Sequence, residues 1–252
     1  MLTDERRRAI FENIKKNMSI TTDELSNIFN VSPSTIRRDL EYLASKNLIK
    51  RTHKGAIFNS PHAEGDFLSN YNYMKKEKNL IAKKALNFIN DKDFIALSGG
   101  TTSYFLAEEL INSELQDLTL LTHSVNIAVL ILESKKEFKL VLAGGIPRKG
   151  SYECVGEITL RIIKNFNIDK YFLGVNGVSL ESGVSFANMD EAIVSQELIR
   201  RSKDTYVLAD RTKFDVTKPF RISDFEDISA IITDDLSSNF ISKYKNKKIE
   251  IY

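Results

Sequence analysis

Residues 31–43 read Val-Ser-Pro-Ser-Thr-Ile-Arg-Arg-Asp-Leu-Glu-Tyr-Leu, and the spacing predicts a short helix with a defined start. Ser32 is placed to cap the first turn, and Pro33 fits the first helical position, where its missing N–H costs nothing. Ile36, Leu40 and Leu43 recur at i, i+4 and i+7 as one apolar stripe, which leaves Ser34, Thr35, Arg37, Arg38 and Glu41 on the opposite face. Guanidinium groups clamp phosphates or read guanine edges bidentately, and hydroxyls donate to phosphate oxygens or base edges. This is the composition of a DNA-reading helix. Arg pairs also occur on ordinary solvated helix faces, so the neighbouring residues decide between the two.

Those neighbours form a pattern. Residues 4–17 place Ile10, Phe11 and Ile14 on one face and Arg6, Arg7, Arg8, Lys15 and Lys16 largely on the others, which predicts a first helix. Thr21, followed three residues later by Glu24, has the form of a capping box and opens a short second helix with Leu25, Ile28 and Phe29 facing inward. Asn30-Val31-Ser32 supplies the turn into the Arg-bearing helix. Residues 48–58 then give two short β-prone runs around a basic tip with Gly55, a hairpin wing on which Arg51, His53 and Lys54 are candidate contacts to the DNA backbone or minor groove. Charge follows the same division: residues 1–60 hold 11 Lys and Arg against 7 Asp and Glu, although the net charge of the whole chain is only +2. A basic N-terminal module suits a polyanionic partner, double-stranded DNA.

These residues resemble the N-terminal module of the DeoR-type bacterial transcription regulators. That family's pattern runs through Val-Ser-x-x-Thr-Ile-Arg-Arg-Asp-Leu to a basic His-Gly-Gly wing. The chain carries Glu24-Leu25-Ser26, Val31-Ser32 and Thr35-Ile36-Arg37-Arg38-Asp39-Leu40, and departs at His53-Lys54-Gly55, where Lys54 stands in place of the first glycine.

A chain of 252 residues has room for a second, larger domain. Residues 1–58 are expected to form the winged helix-turn-helix domain, residues 59–72 a linker, and residues 73–252 an α/β effector domain. In the linker stretch Pro61, Gly65 and several Ser and Asn break the periodicity. Residues 73–90 read as a helix whose buried side carries Leu80, Ile81, Ala85, Leu86 and Ile89. Strands are then expected at 94–97, 118–122, 138–142, 171–175, 206–209 and 230–233, with helices between them. The fold class is therefore α/β, a doubly wound and mostly parallel sheet, with ligands bound beyond the carboxyl ends of its strands.

The loops at those ends are polar. Ser98-Gly99-Gly100-Thr101-Thr102-Ser103 follows the first of these strands and opens a helix, so backbone N–H groups, hydroxyls and a helix N-terminus converge as an anion site. Thr122-His123-Ser124, Gly144-Gly145, Asn176 and Lys213 fall at the ends of later strands. Cys154 is the only cysteine, which excludes an intrachain disulfide, and His53, His62 and His123 lack ligand spacing, so neither a metal nor a cofactor is expected. No long apolar run or signal-peptide pattern is present, which points to the cytoplasm and away from a membrane.

The larger domain also resembles the DeoR family, whose effector domain is similar in fold to pentose-phosphate isomerases. The landmarks are Gly100-Thr101-Thr102, Thr122-His123-Ser124, Gly144-Gly145, Gly156, Gly183, Asn188, Glu191 and Asp210-Arg211-Thr212-Lys213-Phe214. The resemblance implies a repressor of a carbohydrate operon relieved by a phosphorylated sugar. Gly100, Thr101 and Thr102 would hold the phosphate, Lys213 would neutralise it, and Asn188 and Glu191 would lie near the sugar. The chain departs at Ser98, where many members have Asp, at His123, where Asn is common, and at Ser195-Gln196, where basic residues are usual. A recognition helix alone buries little surface, so a homodimer or higher oligomer is expected. The competing class is a sugar-phosphate isomerase with an appended DNA-binding module. The stretch 173–178 carries no carboxylate to serve as a general base, leaving Glu191 and Asp210, and the reading is of a binding protein with no catalytic residues.

Overall fold

The computed structural model describes residues 3–17, 19–46, 48–58, 67–235, 237, 242–244 and 249–252. The chain divides into two compact units, Met1–Lys75 and Lys76–Tyr252.

The first unit runs α1 (Thr3–Asn17), β1 (Ser19–Thr21), α2 (Thr22–Phe29), α3 (Pro33–Ser45), β2 (Ile49–Arg51), β3 (Gly55–Phe58) and α4 (Phe67–Tyr71). The capping box forms: Thr21 Oγ1 accepts the Glu24 N–H at 3.2 Å, and Glu24 accepts the Thr21 N–H at 2.8 Å. Asn30, in the left-handed conformation at φ 49°, ends α2, and Ser32 Oγ accepts the Thr35 N–H at 3.3 Å to start α3. Ile36, Leu40 and Leu43 pack with Ile10, Ile14, Leu25 and Ile49 as one core. Ile28 departs from expectation and is 54 % exposed. Thr22, Leu25 and Phe29 make the inner stripe of this short helix, and Ile28 stands about a quarter turn away from it.

The wing is a three-stranded antiparallel sheet in the order β1-β3-β2, one strand more than the sequence pattern suggests. A Cβ on Gly55 would overlap the Ile20 carbonyl, so glycine at that position is what lets β1 close on β3. Lys54, by contrast, is not among the positive-φ residues, and its carbonyl accepts the Thr22 N–H at 2.9 Å. Ordinary backbone therefore accommodates the Lys that departs from the family pattern. Within the expected linker, residues 59–66 lie outside the described residues, and Phe67–Tyr71 is helical.

The second unit runs α5 (Lys75–Leu86), β4 (Phe94–Leu97), α6 (Thr101–Asn112), β5 (Thr119–Thr122), α7 (Val125–Leu132), β6 (Lys139–Leu142), β7 (Ile146–Pro147), β8 (Cys154–Val155), α8 (Glu157–Ile163), β9 (Ile168–Gly174), β10 (Gly177–Ser179), β11 (Gly183–Phe186), α9 (Met189–Arg201), β12 (Ser202–Leu208), β13 (Phe220–Ser223), β14 (Ala230–Ile232) and β15 (Glu250–Ile251). Near-continuous apolar runs such as Phe94-Ile95-Ala96-Leu97 suit strands buried on both faces. Seven strands form one sheet in the order β15-β14-β12-β9-β4-β5-β6, with every pairing parallel. The chain builds outward from β4 to β6 and then returns to β9 on the other side of β4. This reversal opens a crevice beyond the carboxyl ends of β4 and β9.

The short β7–β8 hairpin, the antiparallel sheet β10-β11-β13 and the edge strand β15 are additions that the sequence pattern does not reveal. Cys154 is buried in β8. On α5 the expected stripe is displaced: Leu80 is 44 % exposed, while Lys78 is 3 % exposed in line with Ile81, Ala82 and Ala85. Among the described residues no helix is long and apolar enough to cross a membrane.

Candidate functional site

On α3 the Ser34, Arg37 and Arg38 side chains are exposed and Thr35 is half-buried. Their orientation has an identifiable anchor. Asp39, next to Arg38, is only 1 % exposed and turns inward, where its Oδ2 accepts Arg6 Nε at 2.7 Å and its Oδ1 accepts Arg7 Nε at 2.9 Å. Two guanidinium groups of α1 thus hold one carboxylate of α3, and the rotation that buries Asp39 turns Arg37 and Arg38 outward. Ser34 Oγ and Thr35 Oγ1 lie 2.8 and 2.9 Å from Ser32 Oγ, a cluster of three hydroxyls at the head of the helix. The wing differs in part from expectation. His53 and Lys54 are exposed at the tip, but Arg51 donates to the Arg37 carbonyl at 3.2 Å and sits 3.7 Å from Glu41. Arg51 therefore braces the wing against α3.

In the second unit, the end of β4 leads into α6 through Ser98, Gly99 and Gly100. Gly100 adopts φ +84°, and no heavy atom lies within 4 Å of where its Cβ would stand, so there is open space beside the N-cap of α6. Tyr104 is the first residue of α6 to bond back, to the Gly100 carbonyl at 3.2 Å. The N–H groups of Thr101, Thr102 and Ser103 precede it at the helix start, where positive dipole and unpaired donors favour an anion. Ser98 is buried and ties the crevice together: its Oγ accepts the Gly174 N–H from β9 at 2.8 Å and lies 2.8 Å from Ser103 Oγ.

A carboxyl overlooks this loop. Glu153 is 6 % exposed, and a Cβ on Gly99 would overlap its carboxyl group. Its Oε2 is buried with no hydrogen-bond partner among the described residues. Burial drives its pKa up to about 7, and the Arg148 charge only partly opposes this. Arg148 is itself ion-paired with Glu191 at the start of α9. Asn188 caps that helix, accepting the N–H groups of Asp190 and Glu191 at 3.0 and 3.2 Å. Tyr171 of β9 is buried behind the loop and lies 3.4 Å from Ser195 Oγ, and burial pushes its phenol well above the usual range.

Other expected residues are bound up in the scaffold. Thr122 Oγ1 donates to the Leu97 carbonyl at 2.9 Å and accepts the Ser124 N–H at 3.1 Å, and Ser124 donates to Asn126. His123 donates through Nδ1 to the Cys154 carbonyl at 3.0 Å, and burial drives its pKa down to about 4, which leaves it neutral. At Gly145 a Cβ would overlap Thr159 of α8, so this glycine serves close packing, and the Gly144 carbonyl accepts the Thr159 hydroxyl at 2.8 Å. Asn176 accepts the Ala187 N–H at 3.0 Å and joins β9 to β11. Beyond β12, Asp210 accepts the Thr212 N–H at 2.9 Å, and Lys213 is half-buried. Lys78 of α5 is close enough to both to feel their charges. Burial lowers its pKa to about 8, with Asp210 opposing the shift and Lys213 adding to it.

The description "DeoR-like helix-turn-helix domain" matches residues 6–62, and "DeoR C terminal sensor domain" matches residues 74–235. The chain belongs to the DeoR family. Among its relatives, the HTH-type transcriptional repressor GlcR of Bacillus subtilis is 31 % identical over 94 % of this chain and 90 % of its own length. The glycerol-3-phosphate regulon repressor of Escherichia coli is 30 % identical over 93 % of this chain and 92 % of its own. A solved D-ribose-5-phosphate isomerase in complex with phospho-erythronic acid is 20 % identical over 56 % of this chain and 54 % of its own, with a TM-score of 0.41.

Several residues of this DeoR-family regulator escape a reading of the sequence alone. Lys78 had a signal, since it falls in register with Ile81, Ala82 and Ala85 on a helix face that is otherwise apolar. Asp39 likewise carried one, as the acidic residue beside an Arg pair on a helix preceded by Arg6 and Arg7. Arg148 and Glu153 carried none, because only the β7–β8 hairpin brings them to the head of α6.

Proposed function

We propose that this DeoR-family regulator represses a carbohydrate operon by holding its operator through α3 and the wing, and releases it when a phosphorylated sugar binds beyond the carboxyl ends of β4 and β9. The observation that carries the reading is the pairing of an outward Arg37-Arg38 face, locked by Asp39, with a second unit that has open space beside the N-cap of α6. Ser34, Thr35, Arg37 and Arg38 contact the major groove, and His53 and Lys54 contact the backbone beside it. Thr101, Thr102 and Ser103 cradle the phosphate, while Arg148, Glu191 and Asn188 frame the sugar end and Lys213 adds positive charge. Thr122, Ser124, Gly145 and Asn176 shape the site through the scaffold and do not touch the ligand.

The protein works as a homodimer in the cytoplasm, because two half-sites a helical turn or a multiple apart give the affinity that one helix lacks. It is a binding protein and not an isomerase, a reading supported by the transcriptional repressors among its relatives. Effector and operator oppose each other through a coupling of about 1–3 kcal/mol, typical of such switches. The test is a thermal-unfolding screen of phosphorylated sugars, each paired with its unphosphorylated form. A ligand at a hundredfold excess over Kd stabilises the native state by about 2.7 kcal/mol. A shift with one phosphorylated sugar, absent with the free sugar and reduced in Lys213→Ala, is the expected result. No shift across a broad panel refutes the effector assignment.

A further inference from the structure

At the head of α6 two independent observations meet. The helix has 12 residues with open space beside its N-cap Gly100, and Glu153 projects over Gly99 with a buried oxygen that has no hydrogen-bond partner among the described residues. The surroundings of that carboxyl are specific. Gly99 of the β4–α6 turn lies against it, and Tyr171 of β9 is close enough to feel its charge. Neutral His123 lies at the end of β5, and Arg148 is on the same hairpin, its charge shared with Glu191 of α9. A carboxylate left this way would face a bound anion across a few ångströms of low-dielectric space, with Arg148 already engaged. A neutral carboxyl has an O–H to donate and fits the same place without repulsion.

Resting on the effector site proposed above, we infer that Glu153 is a specificity-determining residue of that site: it meets the anionic group of the ligand as a neutral acid, donating its O–H to an anionic oxygen held at the start of α6. The site therefore selects ligands that place an acceptor there, and each binding event draws one proton from solvent onto Glu153 whenever the residue begins ionised. Burial already holds the group near its midpoint at neutral pH, about 7, so the proton is supplied at little expense. Tyr171 stays protonated and His123 stays neutral between pH 6 and 8. Lys78, lowered to about 8, is half deprotonated at the top of this window, so only the pH dependence that Glu153→Gln removes is assigned to Glu153.

Sulfate is a suitable probe because it remains a dianion throughout that window. Calorimetric titration of the full-length protein with sulfate at pH 6, 7 and 8, in two buffers of different ionisation enthalpy, reads both affinity and proton uptake. The expected result is binding about tenfold weaker at pH 8 than at pH 6, with close to one proton taken up at pH 8. Glu153→Gln, which is always neutral and still donates, should bind as the wild type does at pH 6, with no change from pH 6 to 7 and only the smaller decline toward pH 8 that Lys78 contributes. Wild-type binding that is independent of pH, or tighter at pH 8, overturns the inference while leaving the phosphate site standing. Absence of sulfate binding at every pH in both proteins overturns the inference and the site together.

Discussion

Replacing Asp39 with Ala removes the contact that sets the rotation of α3. The carboxylate is 1 % exposed and accepts two guanidinium donors at 2.7 and 2.9 Å, while the side chains of Arg6 and Arg7 are 14 % and 24 % exposed. A hydrogen bond to a charged group contributes about 1.5–3 kcal/mol, and the partial solvation of both Arg side chains favours the lower end. Losing both gives a destabilisation of about 3 kcal/mol. A unit the size of Met1–Lys75 has a total stability of roughly 4–11 kcal/mol, so this loss is about a quarter of it or more. The melting temperature of that unit should fall by more than about 10 °C. Far-UV circular dichroism of the full-length variant should show an early transition, and operator affinity should drop before that transition begins, because Arg37 and Arg38 lose their fixed orientation. Asp39→Ala with unchanged melting and unchanged operator affinity would refute the anchoring role.

Four further substitutions probe other parts of the structure. Gly55→Val drives a side chain into the Ile20 carbonyl, so β1 should detach from the wing, lowering stability by about 1–3 kcal/mol and increasing amide exchange at residues 19–21. Ser98→Ala leaves the Gly174 N–H without its acceptor and should cost about 1–3 kcal/mol in denaturant unfolding of the second unit. The pH response of that unit contains two opposed contributions. His123, lowered from 6.5 to about 4, makes stability fall as pH drops through that interval. Glu153, raised from 4.5 to about 7, makes stability fall as pH rises through its own. His123→Asn should therefore unmask a stability that declines between pH 4.5 and 7, and Glu153→Gln one that declines from pH 6.5 to 4. Each slope should approach about 1.4 kcal/mol per pH unit, measured by urea unfolding across that range.

Much of this architecture is legible in the sequence, and the reasons are local. The Ser32-Pro33 start, the Thr21/Glu24 capping box and the Ile36-Leu40-Leu43 stripe are short-range signals, and each appears where the residues dictate. The strands Phe94–Leu97 and Ala230–Ile232 stand out because buried parallel strands are apolar on both faces. What escapes is non-local or too short to be periodic. β1 and β8 are three and two residues long and exist only through their partners β3 and β7. The inward turn of Asp39 needs Arg6 and Arg7, some thirty residues earlier, and the placement of Glu153 over Gly99 depends on a hairpin that composition does not mark. Leu80 and Ile28 misled for a related reason: an apolar side chain on a short helix need not face the core.

In the proposed function the Arg37-Arg38 face of α3 reads operator DNA. This role is tested most directly by fluorescence anisotropy of a selected operator duplex titrated with wild-type protein and with the Arg37→Ala/Arg38→Ala double variant, at fixed salt and against a scrambled duplex. The double variant should fall to the affinity of the scrambled duplex while its thermal unfolding matches that of the wild type. Full operator affinity in a normally folded double variant would contradict it.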